Sequence, residues 1–178
     1  GTISALMPAG KPVLNPREVD AAVRDLADKM AHEIKSSGGD WALVGIPTGG
    51  EKLAGWLAAL LRERGFDLPL GALDITLYRD DLGQGGMPAV KKTEIDFEID
   101  GKSIFLVDDV LYTGRTARAA MDELADFGRP ARIRLVVLID RGGRELPIQP
   151  DLAAKRVEVP ADCSVEARFD SGAAEVVM

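Results

Sequence analysis

The feature that most constrains the fold is a unit that occurs twice in this 178-residue chain: a short apolar segment, a loop with glycine and hydroxyl residues, and a helical pattern. The apolar segments are residues 41–46 and 104–107, and the helical patterns are residues 51–64 and 117–124. Short runs rich in β-formers predict buried strands, and residues 132–139 predict another. This alternation predicts an α/β fold, a parallel sheet with helices on both faces.

The second unit combines two acids with a small, hydroxyl-rich loop. Asp108 and Asp109 follow the predicted strand, and residues 113–116 form the loop that opens the predicted helix. Backbone N–H groups at a helix N-terminus bind phosphate, and carboxylates can accept hydrogen bonds from ribose hydroxyls. The ordered string therefore predicts a site for a phosphorylated sugar. For any one of these residues, a solvated loop or an N-cap is an equally good interpretation.

The first unit offers a second place for an anion. Its loop, residues 47–50 with the sequence Pro-Thr-Gly-Gly, again leads from a strand into the start of a helix. Taken alone this pattern is weak, because Gly-Gly before a helix is common turn chemistry. The chain contains neither Gly-x-Gly-x-x-Gly nor Gly-x-x-x-x-Gly-Lys-Ser/Thr, which excludes the two common nucleotide-binding loops.

Composition narrows the class of protein. A net charge of −7 and a pI of about 4.8 disfavour broad, non-specific binding of nucleic acid, which depends on Lys and Arg. One His and one Cys give no metal-ligand cluster, and no apolar run approaches the length of a membrane span. Because Cys163 cannot form an internal disulfide and no signal-peptide pattern is present, we expect a cytoplasmic protein in which this thiol is inert.

The rest of the chain predicts an arm, a single domain and one long loop. Residues 1–15 are predicted to form an extended or disordered N-terminal arm, and residues 16–178 are predicted to form a single domain, with Asn15 as the cap of the first helix. Further strands are predicted at residues 70–78, 93–99, 157–159 and 167–169. Residues 79–90 are rich in glycine and predict a loop of a length that is usually functional or mobile.

Residues 107–116, Val-Asp-Asp-Val-Leu-Tyr-Thr-Gly-Arg-Thr, resemble the phosphoribosyl pyrophosphate (PRPP) motif of type I phosphoribosyltransferases. Residues 73–82, 127–130 and 140–148 extend the resemblance to the PyrR family, the pyrimidine operon attenuation proteins with uracil phosphoribosyltransferase activity. The resemblance implies the type I phosphoribosyltransferase fold, a mainly parallel central sheet flanked by helices, with a small hood and a flexible loop.

The resemblance also implies an activity: uracil and PRPP give UMP and diphosphate, with Mg²⁺ carried by PRPP and no side-chain cluster that binds metal by itself. Asp108 and Asp109 would hold the ribose hydroxyls, directly or through the metal, and Arg79 would close on the leaving pyrophosphate. Asp140 and Arg141 lie in the hood segment that would cover the base. The implied nucleotide-binding residues are Thr48, Gly49, Asp108, Asp109, Val110, Leu111, Tyr112, Thr113, Gly114, Arg115 and Thr116.

Two positions refine this expectation. Many PyrR-like sequences have Arg where this chain has Gly49, so a fixed positive charge is missing from the predicted pyrophosphate loop. That departure keeps open a second interpretation, a UMP-sensing protein with weak catalysis. Tyr112 stands where purine-using relatives carry an acid, which favours a pyrimidine as the acceptor.

A further alternative is a UMP-dependent, RNA-binding regulator of pyrimidine operon expression, and the resemblance implies homodimers or homotetramers. In the family, a basic dimer face to which the first helix contributes binds RNA. In this chain the four basic residues of that helix are opposed by five acidic ones, which disfavours RNA as a partner. The basic residues are Arg17, Arg24, Lys29 and Lys35, and the acidic ones are Glu18, Asp20, Asp25, Asp28 and Glu33.

Overall fold

The structure of the chain is a computed structural model that describes residues 12–75, 93–170 and 173–178. In chain order the elements are β1 (Pro12–Leu14), α1 (Pro16–Ser37), β2 (Trp41–Gly45), α2 (Gly49–Glu63), β3 (Leu70–Ala72), β4 (Ser103–Leu111), α3 (Arg115–Phe127), β5 (Arg132–Asp140), β6 (Leu152–Arg156), β7 (Glu166–Asp170) and β8 (Ala173–Val177). Five strands form a parallel sheet in the order β3-β2-β4-β5-β6, and a smaller antiparallel sheet has the order β1-β8-β7. The predicted α/β fold is therefore confirmed.

The central strands are apolar on both faces because each face is covered by a different part of the core. Along β4, Phe105 and Val107 belong to a cluster with α1 and α2, whereas Ile104 and Leu106 belong to a second cluster with α3. The period of two along the strand thus sends alternate side chains into two separate layers. This arrangement explains why the strand sequences are continuous apolar runs and not alternating ones.

The first helix begins where its capping residues predict. Asn15 Oδ1 accepts a hydrogen bond from the Glu18 N–H at 2.8 Å, and the Asn15 N–H donates to Glu18 Oε1 at 3.1 Å. Pro16 occupies the first turn, where its missing N–H leaves no bond unmade. The helix ends at Gly38, whose φ of 62° lies in the left-handed region.

Several predicted boundaries were wrong. The strand predicted at 70–78 ends at Ala72. Residues 93–99 form no strand, and their one strand-like pairing is the isolated Ala72–Glu94 bridge. The alternation in residues 93–99 comes from packing: a Cβ on Gly71 would lie only 3.2 Å from Ile95 Cγ1 and from Phe97 Cε1, so these side chains cross the edge of the sheet.

The C-terminal part of the chain also differs from the expectation. The strand predicted at 157–159 lies earlier, at 152–156, as β6. The shift arises because Asp151 begins the pairing with β5: its N–H donates to the Leu135 carbonyl at 2.9 Å, and its carboxylate accepts from the Leu135 N–H at 2.7 Å. The strand predicted at 167–169 is confirmed as part of β7. Residues 12–14, which the sequence assigned to the arm, form β1 and pair with β8.

The parallel topology brings three loops to one edge of the central sheet. The loops after β2, β4 and β5 all leave the carboxyl ends of neighbouring strands, which is where α/β folds bind ligands. Among the helices that the structure describes, none is both long and apolar enough to span a membrane.

Candidate active site

The acid pair lies within β4 and not after it, as the sequence had suggested. The strand continues to Leu111, and Asp108 is paired with Val137 of β5 and only 7% exposed. Each carboxylate is oriented by the next backbone N–H: the Asp109 N–H donates to Asp108 Oδ1 and the Val110 N–H donates to Asp109 Oδ1, both at 2.8 Å. The two acids are therefore fixed in place before any ligand binds.

The loop after β2 reaches the acid pair by close backbone packing. A Cβ on Gly50 would collide with the Val107 carbonyl and lie 2.9 Å from the Asp108 Cα, so a glycine is required there. A Cβ on Gly49 would overlap the carboxylate of Asp109, which occupies that space. The Pro47–Thr48 peptide bond is cis. Since α2 begins at Gly49, its first backbone N–H groups have no intrahelical partner and lie beside the acid pair.

The loop after β4 forms the second helix start. Gly114 is the N-cap of α3 with a φ of 94°, a left-handed conformation that favours glycine. The Arg115 N–H donates to Thr113 Oγ1 at 3.2 Å, which leaves the Thr113 hydroxyl hydrogen for another acceptor. The remaining N–H groups of the first turn have no intrahelical partner, so this loop can bind an anion such as phosphate.

The segment after β5, residues 141–148, holds this second loop in place. Its contacts to Leu111 and to the loop involve four residues of the segment and are all within hydrogen-bond distance. They are Arg141 N to Leu111 O at 3.1 Å, Arg144 Nη1 to Tyr112 O at 2.7 Å, Glu145 N and Leu146 N to Thr113 O at 2.9 and 3.0 Å, and Arg115 Nε to Glu145 Oε1 at 3.1 Å. Two stretches that the sequence singled out separately thus form one structural unit.

A buried ion pair anchors that unit to the end of β5. Arg144 Nη2 donates to Asp140 Oδ2 at 2.7 Å, and Arg144 Nε donates to the Ile148 carbonyl at 2.7 Å. Burial alone would raise the pKa of Asp140, but the hydrogen bonds from Arg144 and the Gly142 N–H, with the charges of Arg144 and Arg156, hold that pKa below its ordinary value. The carboxylate therefore stays ionised and keeps Arg144 in place.

Arg141 packs against the aromatic ring of Tyr112. Its guanidinium carbon lies 3.9 Å from the ring centroid. Gly143, in the same segment, also contacts this ring so closely that a Cβ on it would overlap the ring. Asp140 and Arg141, predicted to cover the base, are 5% and 6% exposed. Sequence reasoning missed Arg144 and Gly143 as site residues. The available signal was the spacing of Asp140 and Arg144, four residues apart in the 140–148 stretch.

The donor set of the acid pair fits Mg²⁺. Two carboxylates beside a loop for a phosphate group match the way proteins bind this ion, through one or two carboxylates and substrate phosphates. The Asp109 carboxylate projects into the space beside Gly49 and so places such an oxygen at the mouth of the loop. Within the described ranges, no group of three or more His, Cys, Asp or Glu side chains could hold a metal ion.

A polar cluster of Asp74, Thr93 and Glu123 joins α3 to the chain on both sides of residues 76–92. The Asp74 N–H donates to Thr93 Oγ1 at 2.8 Å, and the Thr93 hydroxyl donates to Glu123 Oε1 at 2.7 Å. Burial raises the pKa of Glu123, the Thr93 hydrogen bond opposes that effect, and the charges of Asp74 and Asp126 add to it. Arg79 and the predicted loop at 79–90 lie outside the described residues.

Comparisons with known proteins agree with this architecture. Residues 14–166 match the family model for the phosphoribosyl transferase domain. The chain is similar to the bifunctional protein PyrR of Roseiflexus sp. (53% identity, 83% of each chain) and to that of Thermus aquaticus (52% identity, 82% of this chain and 81% of the relative). A solved hypoxanthine phosphoribosyltransferase from Trypanosoma cruzi shares the fold, with a TM-score of 0.74, 18% identity and 96% of each chain covered.

Proposed function

The chain belongs to the phosphoribosyl transferase domain family and, within it, to the PyrR proteins, and from this premise we propose that it transfers the 5-phosphoribosyl group of PRPP to N1 of uracil. The products are UMP and diphosphate. The observation that carries the proposal is the position of Asp108 and Asp109, in a strand that adjoins two helix N-termini. One acid pair for a ribose and two anion loops for its 5-phosphate and pyrophosphate are what PRPP requires.

The residues divide the work by chemistry. Asp108 and Asp109 accept hydrogen bonds from the ribose hydroxyls, and the N–H groups and hydroxyls of residues 113–116 bind the 5-phosphate. Thr48 and Gly49 face the pyrophosphate, and Arg79 closes on it. Mg²⁺ bound with PRPP supplies charge compensation for the leaving diphosphate. The protein thereby aligns the two reactants and stabilises the charge that develops on the ribose and on the leaving group.

A pyrimidine acceptor is supported by the residue that precedes the 5-phosphate loop. Purine-using relatives carry an acid at the position of Tyr112, where it lies near the purine ring. A tyrosine side chain has no carboxylate to place there. Cytoplasmic localisation and a homodimeric or homotetrameric assembly are parts of the same proposal.

The proposal is tested by measuring UMP formation from PRPP and Mg²⁺ with uracil, and with hypoxanthine as the control base. We expect turnover with uracil and none above background with hypoxanthine. Tight binding of UMP without any turnover would contradict the enzyme assignment and favour a UMP-sensing protein. Preferred use of hypoxanthine would contradict the acceptor assignment.

UMP-dependent RNA binding is a second candidate function, favoured by the word bifunctional in the names of the relatives. The surface of α1 opposes it, because basic side chains there are paired with acids: Arg24 with Asp20 and Lys29 with Asp25, both at 3.0 Å. Filter binding with a pyrimidine leader RNA, with and without UMP, tests this candidate. We expect weak binding, and tight UMP-dependent binding would establish the second function.

A further inference from the structure

We propose that Arg141 is a positioning residue that sets the acceptor preference by fixing the ring of Tyr112, and that it does not itself contact the base. The inference rests on the proposed function, since it assumes that Tyr112 borders the acceptor. It deepens that function by assigning the selectivity to a packed group of three residues, Tyr112, Arg141 and Gly143, which we call the acceptor wall.

The contacts of Arg141 are made with the protein. Its side chain is buried, and Nη2 donates to the carbonyls of Pro160 and Cys163 at 3.2 and 2.7 Å. Its backbone N–H donates to the Leu111 carbonyl at 3.1 Å. Arg141 therefore joins the turn before β7, through its guanidinium, to the end of β4, through its backbone N–H, and its guanidinium carbon lies 3.9 Å from the Tyr112 ring centroid.

One atom of the guanidinium shows what the arrangement favours. Arg141 Nε is buried and has no hydrogen-bond partner among the described residues. An unpaired buried donor is costly, so the side chain is oriented for its contact with the ring at the expense of a hydrogen bond. A guanidinium placed to read a base edge would instead present its N–H groups to the ligand.

The rest of the wall prevents the ring from moving away. Gly143 has a φ of 76°, and its missing side chain leaves the room that Tyr112 occupies. The Tyr112 carbonyl accepts a hydrogen bond from Arg144, which fixes the backbone that carries the ring. A fixed ring at this point takes up space that a two-ring purine would need, whereas a one-ring pyrimidine leaves it free.

The matched experiment uses a second arginine–aromatic pair, far from the acceptor wall. Arg132 lies over Trp41, 5.8 Å from its ring, at the opposite end of β5. We expect R141K to raise the KM for uracil about tenfold, because a lysine ammonium cannot replace the planar guanidinium over the ring while it also bonds to both carbonyls, with the KM for PRPP unchanged. R132K should change neither. An equal rise in both KM values, or no change in R141K, would overturn the proposal.

Two further measurements separate this inference from a failure to fold and from a failure of the proposed reaction. G143A displaces the same ring from another direction, so its KM should rise for uracil and not for PRPP. By calorimetry, R141K should weaken UMP binding about tenfold and leave ribose 5-phosphate binding unchanged. That result would support the wall even if no turnover were found, whereas equal weakening of both ligands would overturn it.

Discussion

The loop after β2 and the loop after β4 both adjoin the acid pair, yet they are held by different kinds of contact. The β2 loop is placed by glycines: Gly50 packs on the Val107 carbonyl, and Gly49 leaves room for the Asp109 carboxylate. The β4 loop is placed by hydrogen bonds from residues 141–148, among which Arg144 binds the Tyr112 carbonyl. The β2 loop therefore depends on glycines, which have no side chain, and the β4 loop depends on the charged side chain of Arg144, which is distant in sequence.

The two loops should respond differently to substitution and to pH. A loop placed by close backbone contact is sensitive to any added atom but needs no charged partner. A loop held by a buried ion pair tolerates small changes in shape, but it depends on the ionisation of Asp140 and is therefore sensitive to pH. The acid pair lies in β4 and adjoins both loops, so changes in the pair should have the largest effect.

The largest expected effect comes from the double substitution D108N/D109N. It removes both carboxylates that we propose to bind the ribose while it preserves their shape and part of their hydrogen bonding. We expect phosphoribosyl transfer to fall by about 1,000-fold or more, since charge stabilisation of this kind dominates many enzymatic rates. Turnover of PRPP and uracil measures it, with circular dichroism as the check on folding.

The matched control is D122N on α3, where Asp122 forms an exposed pair with Arg118 at 3.8 Å. It should leave turnover unchanged. If the double variant keeps its activity, Asp108 and Asp109 are not part of the site between the two loops, and the site assignment is wrong.

The next effect comes from D140N, which removes the ionic partner of Arg144 and disturbs only the β4 loop. Breaking a buried pair on one side costs about 3 kcal/mol, and denaturant unfolding measures this loss. The control is E33Q: its pair with Arg134 at 2.8 Å is about a third exposed and should contribute about 1 kcal/mol or less. UMP affinity should fall in D140N and not in E33Q.

The pH dependence of this loss has a definite sign. The folded pKa of Asp140 lies below its ordinary value of 3.8. Its ionisation therefore stabilises the fold at pH values above the unfolded pKa, and this stabilisation is lost as the pH falls through the lower, folded pKa. The difference in unfolding free energy between wild type and D140N should be constant at neutral pH and shrink below that ordinary value. A difference that grows toward acid pH would contradict the buried pair.

A smaller effect is expected for G49A, which disturbs only the β2 loop. The added Cβ enters the space of the Asp109 carboxylate and forces it to move. Overpacking of this kind costs roughly 1–3 kcal/mol, so we expect the KM for PRPP to rise about tenfold. The control is G55A in the same helix, where a Cβ meets nothing within 4 Å and the substitution should be neutral or slightly stabilising. Equal behaviour of the two variants would show that the β2 loop does not depend on glycine.

The same two loops show how much could be predicted from sequence. Both strand–loop–helix units, with a loop at residues 47–48 and another at 112–114, were predicted because they depend on neighbouring residues. The roles of Gly50 and Arg144 were not, since each acts on another strand. The pairing of β1 with β8 was missed for the same reason: it joins Pro12 to Val177 from opposite ends of the chain. Local periodicity contains no information about which distant segments meet.

The smallest expected effect comes from E123Q, which touches neither loop and should separate stability from binding. Because burial raises the pKa of Glu123 above its ordinary value of 4.5, the folded state binds its proton more tightly than the unfolded state. Stability therefore declines as the pH rises from that value through the folded pKa, where the buried carboxyl ionises. Glutamine keeps an acceptor for Thr93 and cannot ionise, so E123Q should be more stable than wild type at neutral pH and equal to it in acid. Unfolding measured across this pH range, with UMP affinity and the KM for PRPP unchanged, checks the prediction; a loss of either affinity would show that the cluster around Glu123 supports the site as well as the fold.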